Sequence, residues 1–97
     1  MAKRIAWTYR AHRDRKEILL YWKERNQSAT YSKKLIILIK KAVDLIAAHP
    51  NIGRKTDVKN VRVKLVRDYL IFYEQDMEQV FILSIWDSRR DPEDVPY

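Results

Sequence analysis

The sequence predicts an α+β fold, in which a short N-terminal strand and an antiparallel helical hairpin pack on an antiparallel β-meander. Three observations support this fold class. Apolar residues recur at helical spacing through the first half of the chain, and from Asn60 onward the apolar period changes to two. The chain has one Gly and three Pro, which favours long regular elements over a loop-rich scaffold. Because the chain has 97 residues, we expect a single domain over residues 1–97 with one modest core.

The first half of the chain predicts a strand followed by two helices. Residues 3–7 suit a short strand, and Thr8 suits the N-cap of a helix over about residues 9–25. Since the turn at 26–28 is short, the second helix, which should begin at Ser28 as N-cap and run to about Ala48, is expected to lie antiparallel to the first. The apolar arcs of the two helices comprise Ala11, Ile18, Tyr21 and Trp22, and then Tyr31, Leu35, Leu38, Ile39, Ala42, Leu45 and Ile46.

The second half of the chain predicts the three hydrogen-bonded strands of a meander. Residues 50–53 close the second helix with a Pro and a Gly. Strands are expected over residues 61–66, 69–74 and 79–86, and a tail over residues 89–97.

Alternation along the first meander strand assigns its two faces. Val61, Val63 and Leu65 are predicted to face the helices, and Arg62 and Lys64 to point to the opposite face. The core between the helices and the sheet is predicted to contain Trp22, Leu35, Leu38, Leu45 and Ile71.

Positive charge is concentrated in two parts of the chain, whose net charge is +7. Residues 1–48 hold twelve Lys and Arg against four Asp and Glu, and residues 54–67 hold six Lys and Arg against Asp57 alone. Such clusters attract phosphates or acidic proteins, and a solvated surface is the other interpretation.

Several classes of protein are excluded or disfavoured. The chain has no Cys, which excludes disulfides, zinc–thiolate sites and a cysteine nucleophile. It has no glycine-rich phosphate loop, no HExxH motif and no convincing Ser/His/Asp set, so we expect neither a metal nor a cofactor. It has no apolar stretch of about 18 residues that could span a membrane. The charged segment at 9–16 argues against a signal peptide, so we expect a cytoplasmic protein.

A basic sheet face suggests a cradle for a phosphodiester. Arg62 and Lys64 would lie side by side on it, with Arg54 and Lys55 in the loop that leads in, and Arg89 and Arg90 just beyond the last strand. Guanidinium groups bind phosphate with two parallel hydrogen bonds and stabilise charge that develops on it. A basic face that serves only solubility is the alternative interpretation.

The order of elements and three sequence segments resemble the RelE/ParE toxins of bacterial type II toxin–antitoxin modules. The segments are HPNIGR at 49–54, VRVKLV at 61–66 followed by YLIFYE at 69–74, and ILSIWDSRRDP at 82–92. The resemblance extends over nearly the whole chain. It implies a cytoplasmic toxin whose partner is a cognate antitoxin protein.

The family divides by target. RelE-like members cut messenger RNA on the ribosome without a metal, using basic side chains and a late tyrosine, whereas ParE-like members bind and inhibit DNA gyrase. The resemblance implies that the nuclease positions correspond to Arg62, Lys64, Arg89 and Tyr97, with the neighbouring Arg90 as the alternative match to the position of Arg89. In that role Arg62 and Arg89 would offset phosphate charge, Lys64 would assist as base, and Tyr97 would stack or transfer a proton. RNA would be bound by Arg54, Lys55 and Arg90.

Two positions depart from the nuclease pattern. Leu70 follows Tyr69 where nuclease members usually have Arg, and Asp87 stands where many relatives have His. From the basic residues of the first meander strand we favour ribosome-dependent cleavage of messenger RNA, with ribosome and message as partners. Inhibition of DNA gyrase by binding is the alternative, and a domain that has lost its toxicity is a third possibility.

An antitoxin surface is predicted on the second helix. Ile37 is an apolar residue in the middle of the lysine-rich arc, and Lys41 lies one turn further on. An acidic partner with an amphipathic segment would match both side chains.

Overall fold

The computed structural model describes residues 2–89, which form two helices and five strands. In chain order the elements are β1 (Arg4–Trp7), α1 (Tyr9–Asn26), α2 (Thr30–Ala48), β2 (Arg54–Lys55), β3 (Arg62–Val66), β4 (Tyr69–Gln75) and β5 (Gln79–Asp87). The helices pack as a hairpin on one face of a single sheet, so the predicted α+β class is confirmed.

The sheet has the strand order β1-β5-β4-β3-β2. Strands β3, β4 and β5 form the predicted antiparallel meander, and β2 adds a two-residue antiparallel edge. Strand β1 pairs in parallel with β5, from Arg4 opposite Gln79 to Trp7 opposite Ile82. This parallel pair makes the sheet mixed, and it brings the start of α1 close to the middle of β5.

Thr8 caps α1 as predicted and also joins the helix to the sheet. Its Oγ1 accepts a hydrogen bond from the Ala11 N–H at 3.0 Å and donates one to the Leu83 carbonyl at 2.9 Å. The predicted cap of α2 is wrong, because Ala29 occupies the N-cap position and makes no side-chain cap. The Ser28 hydroxyl accepts instead from the N–H of Thr30, the first residue of the helix, at 3.2 Å.

The main core lies between the hairpin and the sheet. Leu35 and Ile71 are fully buried there as predicted, and Trp22 and Leu38 pack against this core while remaining partly exposed. The prediction for Leu45 is wrong, because its side chain is 39% exposed. Helix α2 is rotated relative to the predicted arc, and its most buried side chains are those of Leu35, Ile39, Val43, Ile46 and Ala47.

The predicted faces of β3 are reversed in the structure. Arg62 pairs with Tyr73 and Lys64 with Ile71, and residues directly opposite each other share a face of the sheet. Since Tyr73 and Ile71 belong to the core beneath the helices, Arg62 and Lys64 lie on the helix side.

Val61, Val63 and Leu65 therefore lie on the outer face, where Val61 and Val63 join a second apolar cluster around Phe72 and Trp86. Leu65 itself is 57% exposed. Both faces of the sheet carry apolar residues, and a shift of one residue moves every side chain of a strand to the other face. The pattern of β3 alone therefore could not decide which face meets the helices.

Candidate interaction sites

The structure places the predicted catalytic residues Arg62 and Lys64 on one face of β3 but does not bring Arg89 to them. Arg62 is paired with Tyr73 and Asp87 with Tyr69, four residues apart on β4. At strand spacings, Arg62 and Asp87 are thus separated by about 13 Å along the sheet and about 10 Å across it. Arg89 follows Asp87 by two residues and lines a different cavity from Arg62. The remaining predicted positions, Arg90 and Tyr97, lie outside the described residues.

Arg62 is held by the loop that follows α2. Its Nη1 donates to the carbonyl oxygens of Asn51 at 3.3 Å and Gly53 at 2.8 Å. The same loop is fixed by the buried Tyr73, whose hydroxyl donates to the Pro50 carbonyl at 2.8 Å and accepts from the Gly53 N–H at 2.9 Å. Burial raises the pKa of the Tyr73 phenol, so the hydroxyl keeps its proton and remains a donor.

Gly53 is required by close packing at this point. A Cβ atom there would lie 2.5 Å from the Tyr73 hydroxyl and 2.9 Å from the Val63 carbonyl oxygen. The loop can therefore approach the sheet only where no side chain intervenes. This explains the single Gly of the chain, which the sequence analysis interpreted only as a helix-ending residue.

A basic cavity of about 340 Å³ lies beside Arg62 at the turn between β2 and β3. Its lining consists of Lys55, Thr56, Val58, Lys59, Asn60, Val61, Arg62 and Gln75, and it includes no Asp or Glu. The turn is ordered by Thr56, whose N–H donates to the Val61 carbonyl at 3.1 Å and whose Oγ1 accepts from the Val58 N–H at 3.1 Å. Of the predicted RNA-binding residues, Lys55 lines this cavity and Arg54 does not.

Arg89 lies in a different cavity and is neutralised there. Its Nε and Nη2 donate to the two carboxylate oxygens of Asp87, at 2.9 Å and 2.8 Å, and this ion pair raises the pKa of the guanidinium. The cavity, of about 360 Å³, also contains Tyr69, whose hydroxyl accepts from Trp22 Nε1 at 2.6 Å. Burial raises the pKa of the Tyr69 phenol. Because its guanidinium is ion-paired with Asp87, Arg89 is poorly suited to the phosphate-binding role that the resemblance implied.

Asp14 is a buried carboxylate that the sequence analysis missed. Its Oδ2 accepts from the Ile85 N–H at 3.1 Å, and its Oδ1 accepts from Arg10 Nε at 3.0 Å. Strand β1 stops pairing with β5 at Ile82, so Asp14 satisfies a backbone donor beyond the end of that pairing. The sequence signal for its burial is its position three residues after Ala11, on the buried arc of α1.

A groove runs between the two helices on the side away from the sheet, and we name it the helical groove. It has a volume of about 380 Å³ and is lined by His12, Arg15, Lys16, Leu19, Leu20, Lys23, Ala29, Ser32, Lys33 and Ile36. The apolar floor of Leu19, Leu20 and Ile36 thus lies among basic side chains, and no Asp or Glu lines the groove. Ile37 is 54% exposed and Lys41 is exposed, as predicted, but neither lines the groove.

Residues 2–89 contain neither a membrane-spanning helix nor a cluster of metal ligands. Neither helix there is long and apolar enough to cross a membrane. The same residues contain no group of three or more His, Asp or Glu side chains that could hold a metal ion.

Comparison with known proteins identifies the family. Residues 5–92 match the model of the ParE toxin of type II toxin–antitoxin systems, parDE. Among solved structures, a chain of the chromosomal ParDE system from P. aeruginosa superposes with a TM-score of 0.77 at 19% identity, over 89% of this chain and 96% of that one. No curated protein sequence matches. Because the family model covers nearly the whole chain, this protein belongs to the ParE toxin family of type II toxin–antitoxin systems.

Proposed function

We propose that this toxin inhibits DNA gyrase by binding it, and that it does not cleave messenger RNA. The observation that carries the proposal is the separation of Arg62 from Arg89, which line different cavities and therefore do not surround one phosphate. The match to the ParE family supports the same target, since gyrase binding is the activity that the resemblance to ParE-like toxins implies.

The chemistry of RNA cleavage argues in the same direction. A metal-independent nuclease needs preorganised cations around one phosphate, where charge develops in the transition state. In this chain Arg62 and Arg89 line different cavities, and Arg89 makes a two-point ion pair with Asp87. Lys64 is on the helix side of the sheet, two residues from Arg62. An inhibitor that acts by binding needs no such convergence.

We assign the binding site of the antitoxin, the partner that the family implies, to the helical groove. An amphipathic segment would place apolar side chains on Leu19, Leu20 and Ile36 and acidic ones against the surrounding cations. Charge complementarity of this kind accelerates encounter and selects the partner. Ile37, which follows the groove residue Ile36, and Lys41, one turn further along α2, are expected to contribute to the same contact.

Two purified systems test the target. We expect the wild-type chain to inhibit supercoiling by DNA gyrase and to leave the message intact on ribosomes programmed with a short messenger RNA. We expect Arg89→Ala and Lys64→Ala each to change inhibition of gyrase by less than about tenfold, because neither residue acts on a scissile phosphate.

Cleavage of the message by the wild-type chain would overturn the proposal. So would a loss of about 10²-fold in cleavage on removing Lys64 or Arg89, which is the size expected for a transition-state contact. Asp87→Asn serves as the matched control for Arg89→Ala, since it breaks the same ion pair while leaving the arginine in place.

A further inference from the structure

A group of cations without an ion pair lies near one edge of the sheet. Six basic side chains lie between β2 and the end of the β3–β4 turn: Arg54, Lys55, Lys59, Arg62, Lys64 and Arg67. None of them forms an ion pair with another residue of the described range 2–89. Elsewhere in that range Arg4, Arg10, Arg13, Lys40 and Arg89 each have a carboxylate within 4 Å, and eight further Lys and Arg among residues 3–41 form no ion pair. The six cations near the sheet edge therefore carry charge that residues 2–89 do not neutralise.

Three of these cations line the basic cavity. Arg62 is oriented through Nη1 alone, so the loop carbonyls hold the guanidinium while its Nε and Nη2 make no hydrogen bond within residues 2–89. Lys55 lies opposite Arg62 in the pairing of β2 with β3, and Lys59 lines the cavity from the turn that Thr56 orders. An arginine anchored on one side and open on the other can bind an oxyanion with little loss of conformational entropy.

We propose that the basic cavity binds a backbone phosphate of DNA. Arg62 would donate to the phosphate oxygens, and Lys55 and Lys59 would supply charge around them. The choice of DNA over RNA rests on the proposed function, because a gyrase inhibitor works beside the DNA that gyrase holds. The assignment of a phosphate rests on the cavity alone, which has three cations and no carboxylate in its lining.

The lining distinguishes this site from the helical groove. The groove has an apolar floor between cations, which suits an amphipathic protein segment. The basic cavity has only Val58 and Val61 as apolar lining residues, and the rest are polar or basic. Such a composition suits a charged ligand that is bound through hydrogen bonds and ion pairs.

The test measures DNA binding without gyrase, by fluorescence anisotropy with a labelled duplex of about 20 base pairs at salt concentrations from about 50 to about 200 mM. The probe variant is Lys55→Gln with Lys59→Gln. The control is Lys34→Gln with Lys40→Gln, which removes the same charge from exposed positions on α2. Arg62 is left intact in both because it also holds the loop.

We expect the wild type to bind with an affinity that falls steeply with salt. Each phosphate that is no longer neutralised should reduce the slope of log affinity against log salt by about 0.9, and since the cavity is proposed to hold one phosphate, the probe variant should lose about 0.9. Its affinity at about 50 mM salt should fall by about tenfold or more, and the control should stay within about threefold of the wild type.

Three results would overturn the inference: no binding of duplex DNA, equal weakening by the two double variants, or tighter binding of single-stranded RNA of the same length. The supercoiling assay keeps the two proposals apart. Inhibition of gyrase by a chain that fails to bind DNA would overturn the phosphate site and leave gyrase as the target. Binding of DNA at this site without inhibition of gyrase would overturn the proposed target alone.

Discussion

At the scale of single residues, the sequence indicates which side chains are candidates for a function better than it indicates what those side chains contact. The alternation of β3 is regular, yet Arg62 and Lys64 face the helices, because the outer face has its own apolar cluster around Phe72 and Trp86. Arg62 was expected to bind a ligand, and its contacts with the loop carbonyls depend on a chain segment eleven residues away. Such long-range contacts leave no periodic signal in the sequence.

Gly53 and Tyr73 form a pair that a double-mutant cycle can test. Gly53→Ala should reduce the free energy of unfolding by about 1–3 kcal/mol, because the added methyl group collides with the phenol and with the Val63 carbonyl. Tyr73→Phe should cost about 1–3 kcal/mol, since it leaves the Gly53 N–H and the Pro50 carbonyl without their partner.

The two costs should not add. In the Tyr73→Phe background the most severe contact of the new Cβ is gone, so Gly53→Ala should cost less than it does alone. Urea unfolding of the wild type, both single variants and the double variant measures this coupling. Strict additivity would mean that the loop moves away from Tyr73 and that Gly53 is not required by its approach.

At the scale of elements, the prediction succeeded where the signal was local. Both helices and the three meander strands were predicted within a few residues of their observed bounds, because each carries several periods of its own pattern. The parallel pairing of β1 with β5 and the short β2 were missed. The first joins strands more than 70 residues apart in the chain, and the second contains two residues, which is too few for a period.

The rotation of α2 gives a prediction for the helix itself. Ile39 is 1% exposed at the centre of the buried arc, and Ile37 is 54% exposed on the other side. Ile39→Ala should therefore lower the free energy of unfolding by about 2–5 kcal/mol, whereas Ile37→Ala should change it by less than about 0.5 kcal/mol.

The same measurement tests the correction at Leu45. This residue is 39% exposed, so Leu45→Ala should cost clearly less than Ile39→Ala, although the sequence pattern places both in the core. Chemical denaturation at one temperature is sufficient for all three variants. A cost for Leu45→Ala equal to that for Ile39→Ala would restore the predicted arc and contradict the observed rotation.

At the scale of the whole molecule, two basic regions of the surface each contain a candidate site. The helical half, with its net charge of +8, contains the helical groove, and the basic segment at 54–67 contains the basic cavity. The sequence predicted both basic regions from counts of Lys and Arg. It could not predict that Asp87 neutralises Arg89, or that Arg62 and Arg89 lie in different cavities, because both facts depend on how the strands are paired.

The last prediction concerns the antitoxin and compares two neighbouring surfaces. Lys16 on α1 and Lys33 on α2 both line the helical groove, so Lys16→Glu with Lys33→Glu should repel an acidic segment from either side. We expect this variant to weaken binding of the antitoxin of its own module by about tenfold or more, measured by titration calorimetry. The charge-matched control, Lys34→Glu with Lys40→Glu, alters exposed positions outside the groove and should have a smaller effect.

The surface predicted from sequence is tested by Ile37→Glu with Lys41→Glu in the same titration. Both positions are exposed on α2, and Ile37 follows the groove residue Ile36, so we expect an effect intermediate between those of the groove variant and the control. Unfolding midpoints of the groove variant and of the Ile37 and Lys41 variant should match the wild type, because none of the substituted side chains is buried. The control should be slightly less stable, because Lys40→Glu replaces the ion pair with Asp44 by two like charges. A groove variant that binds as tightly as the wild type, beside a weakened Ile37 and Lys41 variant, would move the antitoxin site to the lysine-rich arc of α2. In that case the apolar floor of the groove would need a different occupant.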